Sequence, residues 1–349
     1  MRYIGSKSLL LGEIEKIIND NVEDARIFCD IFSGTASVAR YFKKDYEVIS
    51  NDLLYFSYVL QKATIENDTI PSFDKLIDSI GYDPYEYFDT NNISLNQCLD
   101  VPFIYENYTP NPKSERLYFT NTNGIRIDYF RQTIEKWKKE NMLSQYEYYY
   151  LLAGLIEAVP FVSNIAGTFG AYLKHWDNRT KKLINLARLD IIENGKNNKA
   201  FNMDANSLIT QIKGDILYID PPYNKRQYAP NYHLLETIAK YDSPAIYGKT
   251  GMRPYNELKS KYCTTTPNVI MEFEELISKA NFKHIVVSYS TEGIMSIADI
   301  EKILKLHGKE DTFILKRIPY RRYKHTTEKS KHSLEELLFY IEKEDNHDR

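Results

Sequence analysis

Residues 215–223 read Asp215-Ile216-Leu217-Tyr218-Ile219-Asp220-Pro221-Pro222-Tyr223. The unbroken run from Ile216 to Ile219 predicts a strand buried on both faces, and therefore a parallel sheet. The two prolines end that strand, because each removes a ladder donor and fixes φ. Asp220 and Tyr223 are left at its carboxyl end, the edge at which open α/β sheets bind ligands. A carboxylate beside a flat ring offers an acceptor and a platform, which an exocyclic amine on a purine or pyrimidine requires.

The surrounding sequence supports an α/β sheet. Ser6–Asn19 carries Leu9, Leu10, Ile14, Ile17 and Ile18 at helical spacing. Arg26 to Val38 reads as strand, turn and helix start, and Tyr46–Asp52 as a second strand, which makes a βαβ unit. From residue 53 the rhythm breaks into helices at 53–66, 125–141 and 145–158. Strands resume at Ala200–Asp204, Asp215–Asp220 and His284–Ser290. Thr312–Arg317 and Glu336–Ile341 read as a closing antiparallel pair. The expected organisation is a catalytic domain from residues 1–52 and 200–349, with 53–199 inserted.

With 349 residues, 43% hydrophobic and 27% charged, the chain can bury a full core and does not fall in the disordered class. It has no apolar stretch of membrane-span length and no signal-like start, so a cytoplasmic location is expected. Cys29, Cys98 and Cys263 are too few and too scattered for a disulfide framework or a zinc site. The seven histidines show no ligand spacing, and no metal is implied. Charge is segregated. Residues 45–106 hold twelve acidic side chains against Lys62 and Lys75, while 313–332 hold seven basic ones against Glu328. The basic stretch Lys316-Arg317-Ile-Pro-Tyr-Arg321-Arg322-Tyr-Lys324 interleaves cations with aromatics, as a phosphate-tracking surface or a solvated loop would.

Four carboxylates, Asp30, Asp52, Asp204 and Asp220, fall at the ends of predicted strands. Singly each reads as a loop or helix-cap residue; together they line one sheet edge. The turn Phe32-Ser33-Gly34-Thr35-Ala36 has small residues where backbone must approach a ligand, without the Gly-x-Gly-x-x-Gly pattern of dinucleotide sites. Asp52, at the end of the second strand, is placed to reach ribose hydroxyls. A nucleoside lacking pyrophosphate fits this edge.

Tyr3-Ile-Gly-Ser-Lys7, Asp30-Ile-Phe-Ser-Gly-Thr35, Ser50-Asn-Asp52, a long insertion, Met203-Asp204 and Asp220-Pro-Pro-Tyr223 occur in this order along the chain. In that order the chain resembles the Dam-type (D12 class) N6-adenine DNA methyltransferases, and more closely the modification enzymes of type IIS restriction systems. The resemblance implies a Rossmann-like methyltransferase fold, a seven-stranded mixed sheet with an inserted helical DNA-recognition subdomain, and S-adenosylmethionine as cofactor. By the same resemblance Tyr3 stacks on the cofactor adenine and Lys7 hydrogen-bonds the cofactor. Phe32, Ser33, Gly34 and Thr35 wrap its methionine end beside Asp30, Asp52 binds the ribose, Asp204 the adenine amine, and Asp220 borders both reactants. Ala36 stands where the family commonly has glycine, which suggests a slightly tighter pocket.

Adenine N6 is a poor nucleophile because its lone pair is delocalised into the ring. The Asp220 carboxylate and the Pro221 carbonyl, on a turn completed by Pro222, can accept its hydrogens and direct the lone pair at a methyl group. Tyr223 can stack on a flipped base, an interaction worth roughly 1–3 kcal/mol. Candidate backbone or guanine contacts are Arg126, Arg131, Lys136, Lys174, Arg179, Lys181, Lys182, Arg226, Arg321 and Arg322. The expected partner is double-stranded DNA, with a restriction endonuclease acting separately and the chain itself a monomer. An RNA adenine methyltransferase and a non-catalytic DNA-binding relative remain alternatives.

Overall fold

The computed structural model describes residues 5, 7–89, 93–319 and 335–343. Tyr3, Arg321 and Arg322 lie outside them. The chain forms two compact units, one from Gly5–Leu53, Asn194–Gln227 and Lys259–Arg349, the other chiefly from Leu54–Glu193 and Tyr228–Leu258.

The first unit is the expected seven-stranded mixed sheet. Its strands are β1 (Ile27–Asp30), β2 (Glu47–Asn51), β3 (Lys199–Phe201), β4 (Lys213–Ile219), β5 (Asn281–Ser290), β6 (Ile314–Pro319) and β7 (Glu335–Glu342). They lie in the order β3-β2-β1-β4-β5-β7-β6. Pairing is parallel from β3 across to β5, and β7 runs antiparallel between β5 and β6. Period-two alternation sorts each strand onto two buried faces. Ile216 and Tyr218 join Phe28, Val286, Leu338 and Tyr340 beneath the helices Leu11–Asn21 and Ser37–Phe42. Leu217 and Ile219 join Cys29, Ile285, Val287 and Phe339 beneath Thr266–Lys279 and Ile297–His307. Each such aliphatic or aromatic side chain contributes roughly 1.5–3 kcal/mol on burial. The chain runs outward from β1 through β2 to β3, then returns to place β4 on the other side of β1. In open α/β sheets ligands bind at such a reversal, here beyond the carboxyl ends of β1 and β4.

The second unit is helical. Its longest helix, Asn121–Lys139, is capped by the Thr120 hydroxyl, which accepts from the Asn123 amide. The helix Gln145–Ala158 begins with a reciprocal Ser144–Glu147 capping box. An extended segment crosses that helix at Gly154. A Cβ there would stand 2.5 Å from the Ala187 carbonyl oxygen, so only glycine admits the crossing. Tyr228–Leu258, which the sequence pattern leaves with the strands, clusters here instead, because Leu234, Leu235 and Ile238 of the helix Ala229–Lys240 enter the helical core. Among the described residues no helix is long and apolar enough to cross a membrane.

Candidate functional site

β1 ends at Asp30, and a tight loop carries Phe32, Ser33, Gly34 and Thr35 to the helix Ser37–Phe42. Asn51, buried at the end of β2, fixes this loop. Its amide donates to the carbonyls of Ile31 and Met203, its side-chain oxygen accepts from the Met203 amide, and its carbonyl accepts from Ser33. Asp52 accepts from the Gly34 amide at 2.9 Å. Gly34 has φ 53°, and Ala36 has φ 62° and ψ 27°. Ala36 therefore holds a left-handed conformation that costs an alanine about 1–2 kcal/mol.

Asp30 is 2% exposed. Its Oδ2 accepts from the Ser33 hydroxyl at 3.0 Å, while its Oδ1 is buried without a donor among the described residues. Burial pushes this carboxyl up to about 8; hydrogen bonds from Ser33 and the Ala39 amide oppose the shift, and the charges of Asp220 and Asp52 add to it. An unsatisfied buried acceptor of this kind is costly unless a donor arrives from outside.

Asp220 follows β4 directly. The Lys7 ammonium, in the turn before the helix Leu11–Asn21, lies 3.2 Å from Asp220 Oδ1 and 3.5 Å from Oε2 of Glu336 on β7. It also lies 5.6 Å from the centroid of the half-buried Tyr223 ring. Burial raises the Asp220 carboxyl to about 6, Lys7 pulls against that rise and Glu336 adds to it. Burial disfavours the charge on Lys7, yet Asp220 and Glu336 outweigh it and hold the ammonium above its ordinary range. The backbone is fixed here too, since the Tyr223 carbonyl accepts from the Ile294 amide at 3.0 Å. Further on, the Gln227 side chain bonds Ser260 and Cys263, which clamps the loop that contains Arg226. The site can thus present a carboxylate acceptor and a ring to a planar amine.

Asp204 lies past the end of β3, which is shorter than the sequence suggests. It caps the helix Ala205–Leu208 by accepting from the Ser207 amide, and Lys261 stands 3.4 Å away. The four strand-end carboxylates therefore follow four adjacent strands of one sheet. Phe32 meets the buried Tyr262 edge-on at 4.9 Å.

The basic candidates divide. Arg126 and Arg131, read from sequence as DNA contacts, are 1% and 3% exposed. Arg126 donates to the carbonyls of Ile184 and Phe88 and to Asn185. Arg131 donates to Ile238 and Ala239, the last carbonyls of a helix, and pairs with Glu135 at 2.8 Å. Arginine's forked donors suit such orphan carbonyls, and both side chains are structural in place of the phosphate contacts expected. Lys136, Lys174, Lys181 and Lys182 are exposed, as is Arg226; Arg179 is partly exposed beside Asp177 at 3.1 Å. Of the basic stretch, Lys316 pairs with Glu13 and Arg317 with Glu335, and its remainder from residue 320 lies outside the described residues. Glu336, Asn51, Gln227 and Tyr262 escape sequence reading. Asn51 alone carries a signal, as the neighbour of Asp52.

The profile of the D12 class N6 adenine-specific DNA methyltransferases matches residues 3–303. The type II methyltransferase M.FokI of Planomicrobium okeanokoites is 53% identical over 346 residues, which are 99% of this chain and 53% of that protein. The modification methylase StsI of Streptococcus sanguinis is 45% identical over 98% of this chain and 52% of that protein. This chain thus spans about half the length of these relatives. The type II methyltransferase M.NlaIII of Neisseria lactamica is 39% identical over 98% of both chains. A profile that spans both β1 and β4, with relatives matched almost end to end along this chain, makes it a member of the D12 class N6 adenine-specific DNA methyltransferase family.

Proposed function

We propose that this chain methylates adenine N6 at a specific sequence in duplex DNA, using S-adenosylmethionine, as the modification arm of a restriction-modification system. The observation that carries the reading is Asp220. It stands at the carboxyl end of β4, beside β1, backed by a buried ammonium and followed by the Pro221-Pro222-Tyr223 turn. Asp220 and the Pro221 carbonyl accept the N6 hydrogens of a flipped adenine, and Tyr223 stacks on its ring.

The β1 edge fits the cofactor. The buried Oδ1 of Asp30, without a donor among the described residues, suits an α-ammonium, and Gly34, at positive φ, lets the backbone of the Phe32–Thr35 loop approach closely. Lys7, Asp52 and Asp204 complete the cofactor set, with Tyr3 assigned by resemblance alone. The cofactor supplies an electrophilic methyl group. The helical unit reads the target, with Lys174, Arg179, Lys181 and Lys182 as phosphate contacts, while Arg226 of the sheet unit lies beside the extruded base. Lys136 is a weaker candidate, since Glu140 stands 3.9 Å from it.

Labelled methyl transfer to duplex DNA and to structured RNA tests the reading. Duplex DNA should be labelled at adenine N6, and Asp220→Ala should lower the rate about 10³-fold while DNA binding persists. Labelling of RNA alone, or no transfer by the parent, overturns it.

A further inference from the structure

Glu336 is the least expected charge in the sheet unit. Alternation along β7 places Glu335 on one face with Leu337, where Arg317 pairs with it at 3.0 Å. Glu336 faces the other way with Leu338 and Tyr340, under the helix whose preceding turn supplies Lys7. Its side chain is 12% exposed, and among the described residues its Oε2 has the Lys7 ammonium at 3.5 Å and no hydrogen-bond donor. A mostly enclosed carboxylate with one oxygen so placed is a liability for stability, and an apolar side chain of similar size would serve the fold at least as well. It also lies beyond residue 303, where the family profile match ends.

We propose that Glu336 is a positioning residue for the target-base reaction: it shares the Lys7 ammonium and so holds that cation back from full pairing with Asp220. The proposal rests on the reading of Asp220 given above. A buried ammonium facing one carboxylate closes to about 2.7–2.9 Å and takes up its lone pairs. Lys7 instead stands at 3.2 Å and 3.5 Å from two carboxylates and within reach of the Tyr223 ring, suspended between them. Asp220 thereby stays near a cation that keeps it ionised, yet retains acceptor capacity for the N6 hydrogens. The charge count agrees. One ammonium against two carboxylates leaves a net negative centre, complementary to a positive methyl donor and to the positive charge that develops on N6 as the methyl arrives. Among the described residues the groups around Asp220 are Lys7, Asp30 of β1, Tyr218 of β4, Tyr223 after it, Ser288 of β5, Glu292 in the turn after β5 and Glu336 of β7, with no second cation.

Glu336→Gln and Glu336→Asp separate this role from a structural one. In the unliganded protein the Asp220 carboxyl, followed by carbon NMR and assigned by difference from Asp220→Asn, should titrate about half a unit or more lower in Glu336→Gln and near its parent value in Glu336→Asp. Single-turnover methyl transfer should fall about tenfold in Glu336→Gln, its acid limb moving to lower pH, and should recover in Glu336→Asp. If the Gln variant does not fold, Glu336→Met carries the same measurements. An unmoved Asp220 titration in a folded variant overturns the proposal, as does an unchanged rate. A parent that transfers no methyl group but whose Asp220 titration moves sinks the methylation reading and leaves the electrostatic coupling intact.

Discussion

Both units bury carboxylates, and they use them in opposite ways. In the helical unit Asp128 is fully buried and accepts from the amides of Ile104 and Tyr105 and from the Tyr241 hydroxyl. Glu236, 1% exposed, likewise caps the helix Tyr55–Gln61 through the amides of Tyr55 and Phe56 and pairs with Lys240 at 3.0 Å. At the sheet edge, Asp30 and Glu336 each keep a buried oxygen without a hydrogen-bond donor among the described residues. A buried carboxyl whose oxygens are taken by backbone amides and side chains of its own unit reads as architecture. One left with an open acceptor marks the candidate site.

The largest test of this contrast is Asp128→Ala, which takes the acceptor from two amides and from the Tyr241 O–H in a helical core. Urea unfolding should register a loss of about 3–5 kcal/mol, and a loss under about 1 kcal/mol would break the architectural half of the comparison.

Asp30→Asn should do the reverse, with stability held or gained at neutral pH while S-adenosylmethionine affinity drops about 100-fold by calorimetry. Its carboxyl, at about 8 in the fold, is raised above the unfolded value of about 4. Its contribution to stability is therefore full below about pH 4 and is lost as pH rises toward 8, by at most about 1.4 kcal/mol per unit. Cofactor affinity should climb through the upper part of this window, since an ammonium prefers the ionised form. The Asn variant should show neither slope; slopes that persist in it assign the effect to another group.

The smallest effect concerns Ala36. Ala36→Gly should raise the melting midpoint by the equivalent of about 1 kcal/mol, because glycine adopts the left-handed region without a Cβ penalty. A lowered midpoint would mean that packing of the buried methyl outweighs the strain.

The sequence discloses whatever chain-local chemistry decides. β4 and the residues after it are legible because prolines stop an apolar run, and the helix Gln145–Ala158 because Ser144 and Glu147 mark its start. Asp30, Asp52 and Asp220 can be read as strand ends without any structure, whereas Asp204 caps a helix beyond the end of β3. Arg126 and Arg131 mislead because surface and buried arginines look alike along a helix until the carbonyls they cap, from Ile184 to Ala239, are brought to them by tertiary contacts. Glu336 is hidden for a related reason. Its neighbour Glu335 is a partly exposed partner of Arg317, and only the pairing of β7 within the sheet sends one glutamate to Arg317 and the other to Lys7.

The place of β7 has a consequence for how this chain is made. β5 and β6 leave the ribosome before the strand that must slip between them, so each emerges with an unpaired inner edge. Open edges of this kind invite pairing with other chains, and such long-range strand insertions close slowly. The same late strand delivers Glu336. A nascent chain can therefore assemble β1, β2 and β4, with Asp30 and Asp220 beside them, before the charge arrangement around Lys7 exists; that arrangement waits for β7 to insert between β5 and β6.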